Sequence, residues 1–239
     1  MYIKTKAIVL SCVKYRDNDL IVKCLTEQKG IVSYLVRGVS GSKSKGSKRA
    51  YFQLLSQLFI EQNFRETQSL QSIKELKVDY HYRSIHLDLM KSAITMFLAE
   101  LLSTVLKEEE ANKPLFNYIQ SSLQYLDHLE HFANFHLLFL LNLTKPLGFY
   151  PDTVNKQAAY FHLDKGQFKD SSGDHYSISG QNLKLLKALL GMDFEALDRV
   201  KLNSNQRQSF LSMLLLYFEL HLGTFKKPKS LLILNQVFN

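Results

Sequence analysis

Between residues 6 and 78 the apolar positions fall in short β-branched or aromatic runs divided by turn signals, the pattern of an all-β module. Residues 6–15 read as a first strand, with Arg16-Asp17-Asn18-Asp19 as its polar turn. Residues 20–26 read as a second strand, closed near Gly30, which can take the positive φ of a tight hairpin. Residues 31–37 are the third. After a long loop, residues 51–64 read as a fourth strand, because Phe52, Leu54, Leu58 and Ile60 alternate with Gln53, Gln57 and Glu61. Residues 70–78 are the fifth. Five short strands with a long connection after the third suit a small closed barrel. The oligonucleotide/oligosaccharide-binding (OB) type fits, although the strand count alone also admits an SH3-like barrel.

Beyond Arg83 the period becomes helical. Leu87, Met90, Ile94, Phe97, Leu101 and Val105 recur at three-and-four spacing, and Leu89, Ala93 and Leu98 add apolar residues on other faces, which predicts a central helix. Pro114 suits the first turn of a second helix burying Phe116, Ile119, Leu123 and Leu126. Residues 132–147 predict a third, stopped by Gly148 and Pro151. Residues 150–176 lack a period and read as an irregular loop or small hairpin. Ser179 as N-cap and Gly191 as C-cap bound a fourth helix, and residues 204–222 make a long last one. The predicted fold class is therefore α+β and multidomain. A five-stranded OB-type barrel spans residues 1–80, and an all-α domain spans 81–239 with an irregular insert at about 150–177.

Charge sharpens this division. Residues 1–83 carry 15 Lys/Arg against 7 Asp/Glu, whereas the remainder holds 15 of each. Residues 28–60 contain six basic residues and no carboxylate, and the Ser/Gly-rich stretch 38–49 is a cationic loop. Such a field draws polyanions, since each phosphate neutralised releases condensed counterions. Among the two barrel types, charge and aromatics favour the OB reading. Single strands are gripped by a cationic track with aromatic rings beneath the bases. The cations expected there are Lys14, Arg16, Arg37, Lys43, Lys45, Lys48 and Arg49, and the stacking rings are Tyr15, Tyr34 and Tyr51. Phe52 shares a face with Leu54 and Leu58 and is expected inside.

Enzymatic chemistry has no counterpart to this. The chain lacks G-x-x-x-x-G-K, H-E-x-x-H and G-x-S-x-G, so no catalytic residue and no cofactor is expected. His128 and His131 can share a helix face but have no third ligand, and Cys12 and Cys24 sit in apolar runs as packing residues. No run approaches the ~20 apolar residues of a membrane span, and the start lacks a secretory pattern, so a cytoplasmic address is expected.

Thr5-Lys6-Ala7-Ile8-Val9-Leu10, then Tyr15, Asp19, Leu25-Thr26, Gly30 and Arg37-Gly38 before a Lys/Ser loop, resemble the start of the bacterial RecO family. Leu147-Gly148-Phe149-Tyr150-Pro151-Asp152 resembles the segment ahead of that family's zinc-binding region, and Tyr217, His221-Leu222-Gly223 and Pro228-Lys229-Ser230 resemble its end. The resemblance implies an OB-fold followed by a helical domain, and a recombination mediator without nucleotide hydrolysis. Such a mediator binds single- and double-stranded DNA, anneals complementary strands, pairs with RecR, and helps load RecA onto DNA coated by the single-stranded DNA-binding protein SSB, whose acidic tail it binds. It is expected as a monomer when alone. Many members carry two cysteine pairs after the Leu-Gly-Phe segment, whereas residues 152–176 here contain none, so no metal is expected and Phe161 and Phe168 are expected to pack in its place. The rival reading is an adaptor whose basic β module binds acidic peptides.

Overall fold

A computed structural model describes residues 1–39, 48–106, 111–173 and 175–238. Contacts divide the chain into two compact units, Met1–His128 with Pro228–Leu234, and Leu129–Lys227 with Asn235–Asn239.

The first unit is built on a six-stranded sheet. Its strands are β1 (Tyr2–Tyr15), β2 (Asp19–Thr26), β3 (Gly30–Val36), β4 (Gln57–Asn63), β5 (Leu70–Gln71) and β6 (Ile73–Tyr80). They are hydrogen-bonded in the order β5-β3-β2-β1-β4-β6. This order runs open from β5 to β6, so six strands in an open sheet replace the expected five in a closed barrel. The extra strand arises because the run read as residues 70–78 breaks after Gln71, and β5 pairs in parallel with β3 (Ser33↔Leu70, Tyr34↔Gln71). The expected fourth strand also starts later than its alternation indicated. Lys48–Phe52 forms a 3-10 turn, and extended pairing begins only at Gln57.

Residues 7–10 of β1 are all buried, which a simple alternation would not allow. Two features reconcile this. A bulge between Val9 and Ser11 shifts the register against β2. The helix α1 (Leu89–Val105) also packs on this strand, where Ser103 Oγ donates to the Leu10 carbonyl at 3.4 Å. The other side closes over Ala7, Val9, Val22, Cys24, Tyr34, Phe52, Leu58 and Ile60. At roughly 25 cal/mol per Å² of apolar surface buried, such a cluster is what holds the sheet together.

Asp88 caps α1 by accepting from the Lys91 N–H at 2.9 Å. The helix α2 (Lys113–His128) ends in a second polar anchor. The Asp127 carboxylate accepts the backbone N–H groups of Arg83 (2.8 Å), Ser84 (2.8 Å) and Ile85 (3.0 Å), fixing the connection between sheet and helices. Burial pushes this carboxyl upward, but the three backbone donors outweigh it and hold the group below the usual carboxylate range. Because α1 and α2 pack within the first unit, the compact units part after His128, whereas the change of sequence period falls near residue 80.

In the second unit α3 (Phe135–Leu143) is almost wholly buried, as its run of apolar residues requires. The insert expected as an irregular loop or small hairpin forms a hairpin extended by a third strand, a small sheet in the order β8-β7-β9, made from β7 (Tyr160–His162), β8 (Gln167–Lys169) and β9 (Ser177–Ile178). Helix α4 (Gly180–Leu189) follows. Helix α5 (Ser204–Leu222) begins with a capping box between Asn203 and Gln206 and ends at Gly223. Phe161 and Phe168 pack at 4.8 Å between ring centroids, and Phe161 lies 6.0 Å from Tyr217, so an aromatic cluster supports the small sheet. A last helix, α6 (Leu231–Val237), forms from the apolar tail. No helix among the described residues is long and apolar enough to cross a membrane.

Candidate nucleic-acid interface

The β1–β2 hairpin carries Lys14, Tyr15 and Arg16 at its tip, and all three are exposed. Register brings this tip beside the end of β3, since Tyr15 pairs with Asp19 and Leu20 with Val36. Two further bonds tie the hairpin turn to the segment after β3. The Val39 N–H donates to the Asn18 carbonyl at 2.7 Å, and the Gly38 N–H donates to the Asp19 carboxylate at 3.1 Å. Arg37, between these ties and the strand, is exposed at the same end of the sheet. The Arg16 guanidinium lies 5.2 Å from the Tyr15 ring centroid, a cation–π contact that orients both groups on the surface.

Arg37 also lines a groove of about 800 Å³ on the same unit. Its other walls include Tyr51 and Phe52 from the 3-10 turn, Arg65 and Gln68 from the β4–β5 connection, and Lys74 from β6. Among the described residues no Asp or Glu lines it. Arg65 is held in place by Gln71, which is buried. The Arg65 N–H donates to Gln71 Oε1 at 3.0 Å, and Gln71 Nε2 donates to the Arg65 and Gln68 carbonyls at 2.8 and 2.6 Å. Parallel pairing of β5 with β3 then places this connection beside the strand that Arg37 follows. Lys74 Nζ sits 5.0 Å from the centroid of Tyr2, whose ring also has Lys4 Nζ at 5.8 Å. Three cations and a half-exposed tyrosine in a groove without carboxylates can hold a run of phosphates while a base stacks.

The expected residues divide among several places. Arg37 and Tyr51 meet in the groove, and Phe52 is buried beside them as its alternation required. Lys14, Tyr15 and Arg16 gather at the hairpin tip. Arg49 is exposed but lines a neighbouring cavity rather than the groove. Tyr34 is corrected. It is fully buried in the sheet core, its phenol pushed well up by burial, and no base can reach its ring. The reason is parity. Tyr34 stands on β3 with Val32, so it points into the core with that residue while Ile31, Ser33 and Leu35 take the other face. Lys43 and Lys45 lie outside the described residues, as does the Lys48 side chain. Arg65 and Lys74 were missed. Arg65 follows the end of the expected fourth strand and Lys74 lies inside the expected fifth, which the structure splits into β5 and β6.

Two family models cover the sequence. One described as recombination protein O N terminal matches residues 1–81, and one described as recombination protein O C terminal matches residues 86–231. The chain belongs to the RecO family. Among its relatives, the DNA repair protein RecO of Christiangramia forsetii is 48% identical over 238 residues, covering the whole of both chains. Those of Flavobacterium johnsoniae and Flavobacterium psychrophilum are 42% and 41% identical, again over the full length of both chains. The sheet with its cationic groove falls within the N-terminal RecO match.

Proposed function

We propose that this RecO-family chain is a recombination mediator of DNA repair that binds single- and double-stranded DNA through its six-stranded sheet. It acts in the cytoplasm and catalyses no bond chemistry. In this reading the sheet serves as a strand-gripping module of the OB type, with Arg37, Arg65 and Lys74 on phosphates and Tyr51 beneath a base. Lys43, Lys45 and Lys48 add to the positive charge of the same part of the sequence. The observation that carries the proposal is the groove itself, which gathers three cations from three separate elements and admits no carboxylate. Annealing of complementary strands, pairing with RecR, capture of the SSB tail and loading of RecA are part of this reading, and the resemblance to the RecO family is what supports them.

The test is the salt dependence of binding to labelled oligothymidylate, read by fluorescence anisotropy. For single strands the slope of log K against log salt is about 0.7 per phosphate neutralised. Combining Arg37→Ala, Arg65→Ala and Lys74→Ala should flatten the slope by about 2 and weaken all sequences alike. An unchanged slope removes the groove from the interface. A competition arm with an acidic peptide separates the adaptor reading, which requires the peptide to displace the oligonucleotide from these residues.

A further inference from the structure

The 3-10 turn Lys48–Phe52 stands between two cavities of the first unit. Tyr51 lines the groove described above, Arg49 lines the second cavity, and Phe52 lines both. The second cavity measures about 640 Å³ and is bounded by the turn, by Cys12 of β1, by His86 and by Ser92, Thr95 and Met96 of α1. Among the described residues it too contains no Asp or Glu. A volume of several hundred Å³ accommodates a ligand of nucleotide size.

Its chemistry is divided in the way a nucleotide is. Phe52, Leu54, Met96 and the half-buried Cys12 form an apolar wall, and Met96 is exposed at its rim. Among the described residues Arg49 supplies the full cation, and it is exposed. Polar atoms along the floor are already oriented. Ser92 Oγ donates to the Ile85 carbonyl at 3.1 Å and Thr95 Oγ1 to the Lys91 carbonyl at 2.8 Å, which leaves both hydroxyl oxygens as acceptors for an N–H group of a base, the ring N3–H of thymine included. His86 Nε2 pairs with the Leu54 carbonyl at 2.9 Å, and its ring meets Tyr82 edge-on at 5.3 Å, which fixes the wall on that side.

We infer that this cavity is a second nucleotide site, separate from the groove, in which an unstacked base lies against Phe52, Leu54 and Met96 with its phosphate on Arg49. The inference rests on the proposal that the chain binds single-stranded DNA. The turn then acts as a ridge with one strand on either side, which is the arrangement needed to bring two strands together for annealing.

Cys12 gives a direct readout, because it lines this cavity alone, while Cys24 is fully buried and serves as an unreactive internal reference. Maleimide labelling of the full chain should slow about fivefold or more in saturating oligothymidylate. The same protection should survive the Arg37→Ala, Arg65→Ala, Lys74→Ala combination, with its midpoint moved less than about threefold, and should be lost with Arg49→Ala. Oligothymidylate that binds by anisotropy without protecting Cys12 overturns the second site and leaves the proposed function standing. Protection that disappears together with groove binding also overturns it, since the groove strand would then be doing the shielding. Protection by an acidic peptide and not by oligothymidylate assigns the cavity to a protein partner and overturns it as well. Failure of any binding by anisotropy removes the proposed function and the second site together. If Cys12 labels too slowly to follow, stoichiometry decides with a four-nucleotide oligothymidylate at low salt, where two per chain are expected and one excludes the second site.

Discussion

His136 is fully buried on α3 with Arg207 nearby, and its ring lies 6.0 Å from that of Phe238. Burial, reinforced by the Arg207 charge, pushes its pKa down from 6.5 to about 3. The folded value therefore lies below the unfolded one. Between them the unfolded chain binds a proton that the folded chain refuses, so stability is complete above 6.5 and declines as pH falls toward 3. At about pH 5 the loss is about 2 kcal/mol, from 1.36 kcal/mol per pH unit. Replacing His136 by Leu removes this window, although it also lowers stability at neutral pH. Denaturant titrations at about pH 7 and pH 5 check it. The drop should be about 2 kcal/mol smaller in His136→Leu, and equal drops in both proteins would show that His136 is not the group responsible.

Much of the secondary structure was legible from period alone, and the exceptions share a cause. Helices α1, α2 and α5 were marked by three-and-four spacing and by stop residues, because a helix face is a local property. The run 51–64 alternated like a strand, but Phe52 is buried from a 3-10 turn, and alternation cannot distinguish the two when the turn packs on the same core. Arg65 depended on which strand pairs with which, and pairing is set across the sheet, whereas Tyr34 shares its face with Val32 and its burial was open to the same alternation argument. The small sheet β7–β9 was legible only in part: the small hairpin admitted for residues 150–176 is present as β7–β8, but its strand bounds and the added β9 were not marked, because the strands are two or three residues long and are held by contacts from α5. His162 is part of that support, with Nε2 on the Ser171 carbonyl at 2.9 Å, and Gly173, at φ +58°, lies so close that a Cβ there would collide with the imidazole. Gly173→Ala combines a left-handed backbone penalty of roughly 1–2 kcal/mol with that collision. Gly148→Ala has φ +85° and open space, so it incurs the backbone term alone. Thermal unfolding should therefore place Gly173→Ala at least about 1 kcal/mol below Gly148→Ala. Equal losses would mean that His162 moves aside freely.

Over the whole chain, the uneven charge located the cationic module in advance, since a net field is a property of composition that folding does not erase. The return of the C-terminal segment to the first unit left no such mark. Residues Pro228–Leu234 rejoin that unit through Glu100 of α1, which accepts the N–H groups of Lys229 and Ser230 at 2.9 Å each and the Ser230 hydroxyl at 2.5 Å. Burial opposes ionisation of Glu100, but the Ser230 hydroxyl and the two backbone donors prevail and hold its carboxyl below the usual range. The stabilisation is thus present above the ordinary carboxylate pKa and is lost as pH falls through the lowered one. Three donors converging on one carboxylate make this tie stronger than an exposed ion pair such as Lys227–Glu219 at 3.5 Å. Removing it with Glu100→Ala leaves the Ser230 hydroxyl and two backbone donors unpaired, and the segment should detach locally before the sheet unfolds. Limited trypsin digestion at neutral pH then reads the change, because Lys226 precedes the tie and Lys229 lies in it, whereas the Lys227–Pro228 bond resists trypsin. Cleavage there should accelerate about tenfold in Glu100→Ala, while cleavage within the sheet keeps its wild-type rate. A uniform rise at all sites would mean global destabilisation, and an unchanged rate would mean that burial of Leu234 holds the segment without Glu100.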